Sequence, residues 1–247
     1  MNSLSPMIEP SSVNGGGASQ VDIAYQQIRY WITSCSLRPG QRVHLRQLLD
    51  ETGLGRTPVR EALLRLEQDG LIIAIPRSAY QVTPLSRKRI HDFFVVWRAL
   101  CPLIFQMAAE NLDQKSIKKI ERIIAPVGRK NLSPLIRCKI GAELFEVLAA
   151  LAGNEQLAHF NHRLTAEMER LFLILFESGE SVPAIFDTKE PTMEILKSKD
   201  SKEIARSILS ALSIAEAGIL AAFDSDPKRF GHVPDADKSR SLRRSAL

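Results

Sequence analysis

The sequence predicts a mainly α protein, an N-terminal winged helix-turn-helix followed by an all-α helical bundle. Two observations predict it. Between residues 20 and 84, three short helical patterns precede a stretch rich in β-formers, which is the element order of a winged helix-turn-helix. From Pro84 onward, long amphipathic patterns follow one another with no second strand-rich region, which is typical of a bundle. The predicted domains are therefore 20–84 and 85–224.

Composition supports a folded, mildly basic protein. The chain has 247 residues, 45% of them hydrophobic, and a formal net charge of +5. This length and hydrophobic content can bury a proper core, and the charge suits a polyanionic partner without identifying one. The three cysteines lack CxxC spacing, which favours reduced thiols over a disulfide framework or a cysteine-built zinc site.

Targeting signals are not apparent in the sequence. The first twenty residues lack the apolar core of a signal peptide, and no later run approaches the roughly 18 apolar residues that a membrane helix needs. We therefore expect a cytoplasmic protein without a membrane partner.

Both ends of the chain have the composition of tails. Residues 1–19 are rich in Ser, Gly, Pro and Asn, which predicts a disordered arm. Residues 225–247 mix Pro, Gly, Asp and Ser with several Lys and Arg residues, which predicts a basic disordered tail. This tail either adds phosphate contacts or is a solvated terminus without a role.

The N-terminal elements follow from periodicity and turn signals. The predicted elements are helices over 21–33, 45–51 and 58–68 and a hairpin within 71–82. Thr57 is expected to cap the third helix, with Pro58 at its first position, and Asp69-Gly70 to end it. Its buried face should contain Val59, Ala62, Leu63 and Leu66.

The third helix also carries a resemblance. Residues 56–71 read RTPVREALLRLEQDGL and closely resemble the recognition helix of the GntR family of bacterial regulators. The neighbouring segments 37–40 and 76–82 match the turn before the second helix and the wing of that family. The resemblance covers about residues 21–84 and implies binding to double-stranded operator DNA.

Candidate DNA contacts lie at the start of this helix. Cationic and hydrogen-bonding side chains there meet the major groove, and the helix dipole also favours phosphate. Arg56, Thr57 and Arg60 occupy that end, and the resemblance adds Arg46 in the preceding helix and Arg77 at the wing tip. The alternative for each arginine is a surface role, or an ion pair with Glu61 or Glu67. Ala79 replaces the usual wing glycine of the family, which leaves the shape of the wing open.

The downstream helices resemble the FCD effector domain of the FadR-type subfamily. The residues that carry this resemblance are FVVWRAL at 94–100, Phe145 with AGN at 152–154, and Lys199-Asp200. It implies a homodimer whose helical domain binds a small organic acid. Most relatives repress transcription, so repression is the expected action.

Many FCD domains hold a divalent metal with one Asp and three His residues. Counting along this chain places the Asp on Ala142 and the first His on Glu146, and the other two near residues 189–191 and at Ala211. Since none of these residues is Asp or His, we predict no metal of this kind and no cofactor. His159 and His162 either form a different site with Glu143 or Glu146 or are simply polar-face histidines.

Without a metal, Arg98 is the candidate for binding a carboxylate. It matches an arginine that contacts carboxylates in many family members, and its planar fork suits bidentate binding. Glu146 is grouped with it as a pocket residue. The alternative is a salt bridge from Arg98 to Glu146 or to another carboxylate of the bundle. Cys101 is expected to be a small packed residue.

The sequence thus predicts a transcriptional regulator, and two other classes of function can be compared with it. The leading hypothesis is a homodimeric repressor of a pseudo-palindromic operator, controlled by a small carboxylate. The second is a DNA-binding regulator whose helical domain has lost ligand binding and serves only dimerisation or protein contact. An enzyme is not expected, because the chain has no Gly-rich phosphate loop, nucleophile elbow or paired acid and base, and no catalytic residue is assigned.

Overall fold

A computed structural model describes residues 18–76, 79–128, 131–180, 183 and 189–231. The chain forms two compact units. The N-terminal unit contains the described residues up to 86 together with 223–231, and the helical unit contains the described residues from 87 to 222. The predicted fold class, mainly α with a small sheet after the N-terminal helices, is confirmed.

The N-terminal unit has three helices and one sheet. Its elements are α1 (Gln20–Thr33), β1 (Arg42–His44), α2 (Leu45–Thr52), α3 (Arg56–Gln68), β2 (Ile72–Ile75) and β3 (Ala79–Val82). Strand β3 lies between β1 and β2 and is antiparallel to both, with Tyr80 opposite Val43 on one side and Ala74 on the other. The sequence did not predict β1, because three residues are too few to show a period.

Helix α3 begins two residues earlier than predicted. Gly55 is its N-cap, in an extended conformation and without a side chain to cap the helix. The prediction that Thr57 caps α3 is therefore wrong, and Pro58 is the third helical residue instead of the first. The first turn still tolerates proline, because its backbone N–H groups have no partner within the helix. The buried residues of α3 are the four predicted ones, and Gly70, at φ +72°, follows its end.

After the helical unit, the chain returns to the N-terminal unit and ends its described part there. After the last long helix, Pro227–Phe230 forms a single 3₁₀ turn, and Phe230 is fully buried. The backbone N–H of Leu85 donates to the carbonyl of Phe230 at 2.9 Å. Gly231, at φ +75°, lies against the turn at Pro39 and Gly40 that precedes β1. A Cβ at Gly231 would be 2.5 Å from the carbonyl carbon of Pro39.

This return changes the predicted boundaries of the tails. Residues 225–231 have defined structure, although the tail was predicted to begin at 225. Burial of Phe230 supplies the apolar contact that the composition of the segment did not reveal. The remainder of the predicted tail, 232–247, and residues 1–17 of the predicted arm lie outside the described residues. Ser19 is described and caps α1 through a capping box with Asp22.

The helical unit consists of long helices, as predicted. They are α4 (Arg87–Glu110), α5 (Gln114–Ile124), α6 (Pro134–Leu151), α7 (Glu155–Ser178), α8 (Lys189–Ser198) and α9 (Ser201–Ser225). Aromatic rings form its centre, with Trp97 4.9 Å and Phe105 5.8 Å from Phe145 between ring centroids. The Arg89 guanidinium binds both carboxylate oxygens of Glu167 at 2.7 Å, which joins α4 to α7.

Two helices, α4 and α9, are long and apolar enough to cross a membrane by length and composition. The sequence-based expectation that no run approaches this limit is therefore not met. In α4, 50% of the apolar window is buried inside the protein, and the core helix of a soluble protein has the same composition. The two helices are weak evidence for a membrane span.

Candidate nucleic-acid interface and a cleft in the helical unit

Four of the five predicted DNA contacts are exposed, three at the start of α3 and one on α2. Arg56, Thr57 and Arg60 lie in the first two turns of α3, and Arg46 lies on α2. No side chain caps this end of α3, so its first backbone N–H groups and the positive end of the helix dipole are available to a phosphate. Position, charge and backbone therefore combine at one surface.

The three arginines of this surface are available to an external partner. In the part of the chain that the structure describes, Arg46, Arg56 and Arg60 form no ion pair or side-chain hydrogen bond. Glu67, one of the alternative partners, instead accepts a hydrogen bond from the backbone N–H of Ala74 at 3.1 Å. The alternative of local ion pairs is thus not observed among the described residues.

The wing is described only in part. Arg77, the predicted contact at its tip, lies outside the described residues, as does Ser78. Ala79, in place of the expected glycine, is the first residue of β3 and pairs with Ile75. The neighbouring strand β1 exposes Arg42 and His44 on either side of the buried Val43.

Two polar contacts join α1 to α3 and to its C-cap residue. The Arg65 guanidinium binds Asp22 at 2.8 Å, and the Tyr25 hydroxyl donates to Asp69 at 2.7 Å. Hydrogen bonds from Ser19, and next from Arg65, lower the pKa of Asp22. Burial, followed by the hydrogen bond to Asp69, raises the pKa of Tyr25 to about 12. These contacts join α1 to the C-terminal half of α3, at Arg65 within the helix and at Asp69, its C-cap residue.

The structure does not bring Arg98 and Glu146 together. The Arg98 guanidinium lies 2.5 Å from Glu216 of α9 and over the ring of Phe94, so the observed arrangement is the alternative ion pair with another carboxylate of the bundle. Glu146 is 3.0 Å from the Nδ1 atom of His162. Neither Arg98 nor Glu146 lines the cleft of this unit.

The two histidines do not form a described metal site. His162 pairs with Glu146, whereas the ring of His159 packs against Phe160 at 6.1 Å. Among the described residues, no group of three or more His, Cys, Asp or Glu side chains is placed to hold a metal ion.

The helical unit instead contains a cleft between α6 and α7, the α6–α7 cleft. The space between its walls is about 630 Å³, a figure that counts the part open to solvent. Its walls are mainly aromatic and aliphatic. The lining residues are Phe105, Ile124, Val127, Arg137, Cys138, Ile140, Gly141, Leu144, Phe145, Met168, Glu169, Phe172, Phe176 and Thr192.

The residues of α6 that face this cleft differ from those predicted for the metal site. Gly141 and Phe145 line it, one position before Ala142 and Glu146. One residue turns the direction of a side chain by about 100° on a helix, so a shift of one position moves it to another face. Glycine has no side-chain ligand and phenylalanine has no donor atom, so these residues do not fit a bound metal.

The cysteines of the helical unit are packed side chains. Cys101 is fully buried, as expected of a small packed residue, and burial raises the pKa of its thiol well above the usual value. Cys138 is buried in the wall of the α6–α7 cleft.

Comparison with known proteins decides the class of the N-terminal unit. Residues 20–82 match the family described as bacterial regulatory proteins, gntR family. The chain is a DNA-binding transcriptional regulator with a gntR-family domain. The regulator is 21% identical over 217 residues, 87% of its length and 92% of the relative's, to the uncharacterized HTH-type transcriptional regulator YdhC of Bacillus subtilis (strain 168).

Other similarities cover either part of this regulator's sequence or its fold. An uncharacterized HTH-type transcriptional regulator of Agrobacterium vitis is 32% identical over 95 residues, which are 38% of the regulator and 56% of that relative. The structure of E. coli McbR/YncC is similar with a TM-score of 0.69 at 17% identity, covering 84% of this chain and 99% of that one. A GntR regulator from Rhodococcus sp. RHA1 follows with 0.62 at 16%, covering 83% and 99%. These structures share the fold of both units.

Proposed function

We propose that this regulator binds operator DNA sequence-specifically through Arg46, Arg56, Thr57 and Arg60. The observation that carries the proposal is the exposure of three arginines without local partners, in the described part of the chain, around the start of α3. Arginine binds guanine bidentately through its O6 and N7 atoms, which discriminates between bases by about 1–3 kcal/mol per contact. Arg77 is proposed to contact the minor groove or backbone from the wing.

We propose that the regulator acts as a cytoplasmic homodimer on a pseudo-palindromic operator. Support comes from exposed apolar side chains on two helices that the ion pair from Arg98 to Glu216 joins. They are Val95, Val96 and Leu103 of α4 and Leu209 and Ile214 of α9. A second copy would cover these side chains and would present two recognition helices to two half-sites. Sedimentation of the V96D variant as a monomer, where the unaltered protein is a dimer, would support this surface.

The proposed action is repression that a small organic acid relieves. A ligand controls DNA binding only if it binds the DNA-competent and DNA-incompetent arrangements with different affinity, and coupling of about 1–3 kcal/mol is typical. The α6–α7 cleft supports a ligand-binding helical unit, because a unit that serves dimerisation alone has no need of an open cleft. The ion pair of Arg98 makes it a weaker candidate for the carboxylate contact than it was from sequence.

One titration tests the proposal. The protein is bound to DNA from its own upstream region at fixed salt, and small carboxylic acids are added with and without a chelator. Release of DNA by an acid, unchanged by chelator, supports metal-free control. Loss of the response with chelator would show a metal site that involves His159 or His162. DNA binding that no acid changes would favour the alternative, a helical unit used only for dimerisation or protein contact.

A further inference from the structure

The α6–α7 cleft is unusual in having a glycine inside one of its walls. Gly141 lies in the middle of α6, where glycine makes a helix less stable than alanine does by about 1 kcal/mol. A Cβ at this position would have no atom within 4 Å. The glycine therefore destabilises the helix although no neighbouring atom would clash with an added Cβ. The space that a side chain would fill is part of the cleft.

Most of the cleft surface suits an apolar molecule. Three phenylalanines from three helices, Phe105, Phe145 and Phe172, face it, together with the aliphatic side chains of α5 and α6. All three rings are almost completely buried in the protein. A ligand with an apolar body would exchange water for these walls, which is the main source of affinity in such clefts.

The polar groups of the cleft are few and differ in burial. Arg137 is partly exposed, and its guanidinium lies 5.8 Å from the centroid of the Phe176 ring, which also lines the cleft. Glu169 and Thr192 are buried in the wall, with 7% and 2% of their surface exposed. Among the described lining residues, Arg137 is the one cation and Glu169 the one anion.

We propose that the α6–α7 cleft binds a small monocarboxylic acid with a mainly apolar body, without a metal. The carboxylate lies at Arg137, and the body extends along Gly141 toward the phenylalanines. Guanidinium and carboxylate match in charge and shape, and Phe176 limits the directions that the Arg137 fork takes. The inference rests on the proposed function, since it specifies the effector of the helical unit.

The same arrangement rejects polar acids with several carboxylates. A second carboxylate would lie either among the phenylalanines, without a partner for its charge, or near Glu169, which repels it when ionised. The cleft should therefore prefer octanoate, which serves as the probe, to succinate. This preference is the reverse of what a metal-centred site with several oxygen ligands would show.

Isothermal titration of the full-length protein in the absence of DNA tests the site, with octanoate, 1-octanol and succinate as ligands. The G141L variant should bind octanoate at least about tenfold more weakly, because leucine fills the space beside Phe145. G141A should give a smaller loss and guards against misfolding of the leucine variant. A150L is the matched control, since Ala150 is exposed on the same helix, and it should bind octanoate as the unaltered protein does.

A second variant tests the polar end of the ligand. R137Q should weaken octanoate binding about tenfold but change 1-octanol binding by less than about twofold, because only the acid loses a charge-assisted contact. Absence of octanoate binding, succinate binding that equals or exceeds it, or equal octanoate affinity in folded G141L and A150L would each overturn the proposal. Because no DNA is present, failure of operator binding would be a separate result.

Discussion

In the N-terminal unit the functional candidates are exposed side chains of two short helices, whereas in the helical unit they line a cleft built from five. Arg56 and Arg60, the proposed DNA contacts, both lie in the first two turns of α3, so residues that are close in the sequence are close in the proposed site. The α6–α7 cleft joins residues as distant in sequence as Phe105 and Thr192. The first kind of site depends on residue identity, and the second on how helices pack.

The largest expected effect concerns the C-terminal return to the N-terminal unit. Phe230 is fully buried and its ring lies 5.2 Å from that of Phe223. F230A should lower the free energy of unfolding of the N-terminal unit by about 3–5 kcal/mol, since truncation of a buried phenylalanine leaves a cavity. Denaturant unfolding followed by circular dichroism measures the change. F160A is the control, because Phe160 is half exposed and its loss should change stability little.

The next prediction tests whether single exposed arginines account for operator binding by the N-terminal unit. R56A and R60A should each weaken operator binding by about 1–3 kcal/mol, because each removes a contact that is fixed by the position of α3. Fluorescence anisotropy at fixed salt measures the affinity. R122A, an exposed arginine of α5, is the control. Operator affinity that survives both α3 variants would show that the recognition surface lies elsewhere.

A smaller effect separates glycines that shape a cleft from those that shape a turn. G141A should raise the free energy of unfolding by about 0.5–1 kcal/mol, because Gly141 is helical and has room for a Cβ. G53A should lower it by about 1–2 kcal/mol although the space around Gly53 is also open, because its φ of +67° disfavours a side chain. Equal changes in thermal unfolding would contradict this distinction.

The smallest effect is a pH dependence confined to the N-terminal unit. The pKa of Tyr25 is about 12 in the folded protein, against an ordinary value of 10. Its contribution to stability is therefore complete below pH 10 and is lost as the pH rises toward 12. Y25F should flatten the fall in stability between pH 10 and 12. An equal fall in both proteins, measured by denaturant unfolding, would show that another group is responsible.

The sequence predicted the N-terminal unit nearly residue by residue. The buried face of α3 was predictable from the helical spacing of its apolar residues. The exposed arginines near its N-terminus were predictable from their positions in the sequence, because both features are local. Strand β1 was missed, since its only signal is pairing with a strand distant in sequence. The return of residues 223–231 was missed for the same reason.

The long helices of the helical unit were also predictable, but its site was not. Arg98 was chosen by its position on α4, yet its partner Glu216 lies on the last long helix. Ala142 and Glu146 differ by one position from the residues that face the cleft, and a helix gives each position its own direction. A cleft wall is a property of packing, which spacing within one helix does not determine.

The C-terminal return makes the helical unit topologically an insertion. Residues on both sides of it, Leu85 and Phe230, are hydrogen-bonded to each other within the N-terminal unit. Cutting the chain after residue 86 would therefore not yield a whole DNA-binding unit, because Phe230 would leave with the fragment removed. An exchange of helical units between regulators would need two junctions, near residues 86 and 223, in place of the single one used for domains arranged in series.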